Sequence, residues 1–292
     1  MALYTIENPA VRIMVSEHAA EIHSFFDKDS KIEYMWQGDP AYWAGRNPTL
    51  FPMVGSTWNK EVVIDGKVYH MGNHGFCRNS DFTCIRHSED EIVMQLKDSE
   101  ETLSQYPFHF ELTIHFVLKG KCLQISYLIS NNNDRVMPFN FGLHPAFNCP
   151  LTNEYSFADY KIETNQPECF QLMGKTVYEG NEYKLEHSVL EKTLIISSPS
   201  SNEFRLKDGS HSLLVKAEGY PWVAFWSGKN NAPFVCIEPW HSHADFSEVR
   251  VPFEEREGTL KLPPHQQFQT EYSITIDERT SYLVPHYSLF RA

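Results

Sequence analysis

The sequence predicts an all-β protein, on three observations. Short apolar runs alternate with polar residues at period two, turn residues separate them at intervals of about ten residues, and no segment sustains a 3.6-residue apolar repeat over three turns. Aromatic residues make up 14% of the chain, a composition that favours pleated surfaces. Many strands at this spacing point to a sandwich or barrel.

The elements follow in order. Residues 62–70, Val-Val-Ile-Asp-Gly-Lys-Val-Tyr-His, read as a hairpin with Asp65-Gly66 at its tip. Residues 102–106 read as a short helical turn. Residues 108–118 alternate strictly, and Lys119-Gly120-Lys121 turns them into a second alternating strand over 122–130. Further strands are expected at 194–197, 212–216, 223–226, 234–238 and 268–276, with a helical turn at 246–249. Pro239 should stop the 234–238 strand, because it has no N–H for a ladder. No repeat, low-complexity tract or linker divides the chain, so one domain over 1–292 is the simplest organisation. The apolar residues 281–292 would pack on the body or on a partner subunit.

Composition excludes some functions. The 292 residues are 41% hydrophobic, enough for a sizeable core. A formal net charge of −13 repels nucleic acid and anionic membranes and suits a neutral small substrate. None of the six cysteines forms a C-x-x-C pair. Cys122 and Cys236 lie in apolar runs, as packed, reduced thiols of a cytosolic protein do. The N-terminus lacks a basic segment followed by an apolar one, and no run approaches the ~20 apolar residues of a membrane span. A cytoplasmic monomer or homodimer is expected.

Four segments carry polar residues in unusual surroundings. In Pro-Phe-Val-Cys-Ile-Glu-Pro-Trp, Glu238 ends an apolar strand beside Trp240. Burial there would raise its pKa, and a carboxylate next to an aromatic platform suits a general base acting on a sugar hydroxyl. The plainer alternative is a strand-end acid paired with a base or a backbone amide. Arg46 stands before the run Asn-Pro-Thr-Leu-Phe-Pro-Met-Val-Gly, as a ligand-binding fork of donors or a structural ion pair. His74 and Arg78 occupy the Gly-rich loop Gly-Asn-His-Gly-Phe-Cys-Arg, which could carry a side chain into a cleft. His144 precedes Pro145, which biases it toward extended backbone, and Phe139, Phe141 and Phe147 surround it; a histidine so placed can act as a general acid. His241-x-His243 beside Asp245 raises a metal hypothesis, but no second cluster completes a ligand set. The chain has no G-x-S-x-G elbow, P-loop or Rossmann fingerprint, so neither metal nor cofactor is expected.

In this order, from Trp36 to Asp245, Leu-Phe-Pro-x-Val-Gly, His-Gly-Phe-x-Arg, Gly-Leu-His-Pro-Ala-Phe and Ile-Glu-Pro-Trp resemble the aldose 1-epimerase (galactose mutarotase-like) family, closest to its LacX-type bacterial branch. The resemblance implies a large antiparallel β-supersandwich. It implies Glu238 as general base, His144 as general acid, His74 on the sugar ring and Arg46 as a substrate-contacting cation. Arg78 is carried over less firmly. Trp36, Trp43, Trp240 and Phe147 are candidates for stacking on the sugar's apolar face. The chain departs from the family where an Asp usually binds sugar hydroxyls: here the stretch reads Leu-Glu-Lys-Thr-Leu-Ile-Ile, with Lys192 at that place and Glu191 beside it. Either Glu191 substitutes after a local shift, or substrate preference has changed, or the protein mainly binds sugar. The expected activity is interconversion of α and β anomers of a hexose, without metal or cofactor. The alternatives are a hexose-6-phosphate 1-epimerase and a non-catalytic sugar sensor.

Overall fold

A computed structural model describes residues 2–277; the 281–292 segment lies outside them. The strands are antiparallel throughout. A four-stranded sheet, Leu3–Glu7, Val11–Ser16, Ile22–Asp27 and Ile32–Glu33, opens the chain. The rest is dominated by one 15-stranded sheet, with two small two-stranded pairs beside it.

Alternation dictates the layers. Phe110–Lys119 and Cys122–Asn131 bury every second residue and pair along their whole length from Phe110↔Asn131 to Lys119↔Cys122. A strict period of two buries one face and leaves the other to water. The Val62–Ile64 and Lys67–Tyr69 hairpin turns through Asp65 and Gly66, both at positive φ as a two-residue primed turn requires. The short helix Glu100–Gln105 starts at a capping box in which the Ser99 and Thr102 side chains satisfy each other's backbone amides.

The sheet folds over at one long strand, Lys161–Leu172. Its first residues pair with Glu203–Lys207 and its last two with Leu194–Ser197, so it belongs to both halves. Pairing with Lys175–Lys184 shifts between Glu163 and Glu168, and Pro167, which has no N–H to donate, lies in that bulge. Buried Glu168 closes the bulge by accepting from the Ser201 amide at 2.5 Å. The fully buried side chains between the layers include Phe51, Tyr106, Phe110, Phe139 and Phe170, and the main apolar cluster runs from Ile6 to Ile276.

Two local expectations are corrected. The strand runs Phe234–Trp240, straight through Pro239. Ile237 and His241 donate to the carbonyls of Pro145 and Phe141, so the missing N–H of Pro239 falls between them, where two short strands, Gly142–Leu143 and Ala146–Asn148, meet. A proline costs little where the ladder is already broken. Residues 246–249 form bends rather than a helical turn. No helix among the described residues is long and apolar enough to cross a membrane.

Candidate active site

Register builds the floor of the site. Gln171 pairs with Ile195, Ile195 with Ala224, and Ala224 with Glu238, so these four side chains form a row across one face of the sheet. The small Ala224 leaves room over the carboxylate. Along Phe234–Trp240 the same face carries Cys236, Glu238 and Trp240, because side chains alternate across a strand. The opposite face sends Val235 and Ile237 into the main core. Over this floor lies a cleft of about 800 Å³, lined by Trp43, His74, Arg78, His144, Lys192, Trp226, Glu238 and Trp240 among others.

Glu238 is 1% exposed and His144 7%, and His144 Nε2 lies 3.4 Å from Glu238 Oε2. Burial raises the Glu238 pKa well above the carboxylate range; the nearby Trp240 indole N–H offsets part of that rise without completing a hydrogen bond. Burial also pushes His144 well below the usual imidazole value, helped by the nearness of His74 and Arg78. Both shifts oppose the charged forms, as expected in a low dielectric. Trp43 stacks on the His144 ring at 4.7 Å and Trp226 meets it edge-on at 5.5 Å, which fixes the ring plane.

His74 is held by a backbone clip. Its amide donates to the Gly55 carbonyl, and the Gly55 amide donates to its Nδ1 at 3.0 Å. That second bond leaves Nε2 as the protonated nitrogen of the neutral ring. Burial, with Arg78 nearby, lowers its pKa to about 4, so the ring is neutral at physiological pH. The residue sits at φ 64°, a strained conformation for a side chain with a Cβ. Gly75 follows at φ 69°, and a Cβ there would lie 2.3 Å from the Phe51 carbonyl oxygen, so only glycine fits. The Leu-Phe-Pro-x-Val-Gly element therefore works as the scaffold that aims His74.

The structure brings Glu238, His144, His74, Arg78 and Trp240 to one cleft. It does not bring Arg46 or Glu191 there. The Arg46 guanidinium packs under the Gly38 turn and donates to the Gln37 carbonyl at 2.8 Å, while its backbone amide is held by Glu21. Glu191 caps the short helix His187–Leu190 and is not part of the lining, whereas exposed Lys192 is. The turn after that helix, with Thr193 at φ 62°, puts Lys192 rather than its neighbour at the cleft. Trp36 and Phe147 also lie away from it: Phe147 is fully buried, and Trp36 packs on Phe234 and donates to the Trp43 carbonyl. Sequence reasoning does not reach Trp226, Gln171, Ser197 and Asn73, which also line the cleft. For Trp226 a signal exists, since its strand neighbours the Glu238 strand; for the others, only the register reveals them.

The side chains of Arg78 and Lys192 have no ion-pair or hydrogen-bond partner among the described residues. Arg78 also borders a larger groove of about 1180 Å³ that shares Asn73 with the cleft and contains neither Glu238 nor His144. Among the described residues, His241, His243 and Asp245 do not gather into a ligand cluster. The strand ends at Trp240, after which His241 turns to Thr270, His243 bonds the Ala244 carbonyl, and Asp245 pairs with Arg256. The donor atoms of His144, Cys236 and Glu238, in contrast, lie within 4.8 Å of one another.

The fold is galactose mutarotase-like. It superposes on a galactose mutarotase related enzyme of Lactobacillus acidophilus with a TM-score of 0.88 at 30% identity, covering 96% of this chain and 99% of that one. A galactose mutarotase-like protein of Lactobacillus casei gives 0.86 at 26%, covering 94% and 100%. The family profile described as Aldose 1-epimerase matches residues 2–275, and the chain belongs to that family. It is also similar to the chromosomal protein LacX of Lactococcus lactis subsp. lactis, at 28% identity over 93% of this chain and 98% of the relative.

Proposed function

We propose that the protein interconverts the α and β anomers of an aldohexose by acid–base ring opening and reclosure. The observation that carries this reading is the His144–Glu238 pair, 3.4 Å apart on the floor of a tryptophan-walled cleft. The ring oxygen and the anomeric hydroxyl share one carbon, so an acid and a base standing side by side reach both. Glu238 takes the anomeric proton while His144 gives its Nε2 proton to the ring oxygen. The C1–O5 bond opens to the aldehyde, rotation about C1–C2 presents the other carbonyl face, and the ring recloses with the roles exchanged. The proton count of the pair is the same before and after. Burial disfavours both charged forms, so the resting pair holds its one titratable proton on Glu238, and the ring-opening step starts from the form in which that proton has moved to His144. His74 Nε2–H is a donor for a ring hydroxyl, and the tryptophan faces suit the sugar's C–H surface.

Polarimetry of freshly dissolved α-D-glucose and α-D-galactose tests the reading. Wild type should accelerate mutarotation, and Glu238→Gln should lose about 10²–10⁴-fold in rate with its fold intact. Full rates in both Glu238→Gln and His144→Ala would remove this pair from the mechanism.

A second reading rests on Arg78 and Lys192, two cations in the cleft with no carboxylate partner among the described residues. They suit a substrate that carries a phosphate, as in a hexose-6-phosphate 1-epimerase. If it holds, glucose 6-phosphate is turned over at lower KM than glucose, and Lys192→Ala removes the preference. An equal KM for the two sugars would leave the free hexose as substrate.

A further inference from the structure

We propose that Cys236, His144 and Glu238 form a binding site for a borderline-soft divalent cation of the zinc class, and that the bound cation excludes sugar from the cleft. The exclusion rests on the acid–base reading of the cleft; the binding does not.

The geometry comes from two adjacent chain segments. Cys236 and Glu238 are two residues apart on one face of Phe234–Trp240, and His144 sits between the two short strands that pair with it. A tetrahedral zinc site with Zn–N and Zn–O bonds of about 2.0 Å places those donor atoms about 3.3 Å apart, and a thiolate at about 2.3 Å lies about 3.6 Å from them. The observed His144 Nε2–Glu238 Oε2 separation is 3.4 Å, and all three donors fall within 4.8 Å of one another. Side-chain shifts of about 1 Å therefore complete the set.

The donor types agree with the geometry. One nitrogen, one sulfur and one oxygen suit Zn²⁺ and select against Mg²⁺ and Ca²⁺, which want oxygen cages. Cys236 is fully buried and its sulfur has no hydrogen-bond partner among the described residues. The acid–base chemistry proposed for the pair makes no use of it. Glu238 is equally enclosed, with the His144 ring and the Trp240 indole close by. As the Zn–S bond forms, the Cys236 thiol proton leaves to water; Glu238 binds as carboxylate and releases any proton it holds. The fourth coordination position opens to the cleft, because Glu238 and His144 line it and Cys236 lies behind them. A cation there occupies the place of the sugar's anomeric centre.

The test uses the metal-stripped full chain titrated with ZnCl₂ against a chromophoric chelator, and with CoCl₂ followed by absorption. The expected result is one Zn²⁺ per chain and a cobalt complex with a thiolate-to-cobalt charge-transfer band. In Cys236→Ser, and in Cys236→Ala as a second variant, the band disappears and Zn²⁺ binding weakens at least about tenfold. ZnCl₂ should raise the apparent KM for sugar in wild type, and each variant is compared with its own metal-free rate. No charge-transfer band, or equal Zn²⁺ affinity in wild type and both variants, would overturn the site. A band without competition against sugar would overturn the exclusion alone. The cobalt measurement needs no turnover, so an inactive wild type would count against the mutarotase reading while the band still decides the metal site.

Discussion

At the residue scale the site is governed by desolvation. Burial raises Glu238 and lowers His144, so the singly protonated pair spans a wide pH range. The acid limb arises when His144 gains a second proton, well below 6.5; the alkaline limb arises when the last proton leaves, well above 4.5. The acid limb of the kcat/KM profile should therefore lie well below pH 6.5, and an acid limb at pH 6.5 or above would contradict the assignment. Arg46 shows the limit of residue-level reading. Its type suits a ligand, yet its head is committed to the Gln37 carbonyl. Arg46→Gln should leave KM within about twofold and cost about 1 kcal/mol of stability, the usual worth of one hydrogen bond, as measured by urea unfolding. A tenfold rise in KM would return Arg46 to the substrate.

At the element scale, loops aim side chains that strands alone cannot place. His74 depends on the double clip to Gly55 and on the close approach of Gly75 to Phe51. Gly75→Ala should cost at least about 2 kcal/mol, from positive φ and overlap together, and should also lower the mutarotation rate because His74 moves with it. Calorimetry and polarimetry on the same sample would show both losses; a stable, fully active variant would show the loop to be slack. The strands themselves are legible in the sequence. The alternation of Phe110–Lys119 and Cys122–Asn131 and the Asp65-Gly66 turn are local signals, and the structure forms both. Pro239 misleads because a proline's effect depends on which neighbour its missing N–H would have faced, and that neighbour lies almost 100 residues earlier at Leu143-His144.

At the scale of the whole molecule, several histidines are folded in neutral. His23, His74 and His241 are each lowered to about 4, chiefly by burial. The unfolded chain binds protons at these positions below about pH 6.5, while the folded chain refuses them until about pH 4. Stability is then fully present above pH 6.5 and is lost as pH falls through that window. The melting temperature should decline steadily from pH 7 to pH 5, and His241→Asn should flatten the decline; a constant melting temperature over that range would mean these rings are not excluded from water.

The sequence by itself determined the all-β class, the main strand and turn positions, and the residue types of the proposed acid–base pair, because period-two burial, primed turns and a carboxylate beside a tryptophan are all local signals. The tertiary structure decided which of those residues meet. Glu238 and His144 are 94 positions apart in the chain and 3.4 Å apart in space, because Gly142 pairs with Trp240 and Ala146 with Cys236. Lys192 rather than Glu191 faces the cleft because of the turn after the short helix His187–Leu190. Trp226 walls the cleft and Phe147 is buried away from it because of strand register. A shift of one residue in register sends a side chain to the opposite face of a sheet, and register is set by pairing between distant strands rather than by any segment alone.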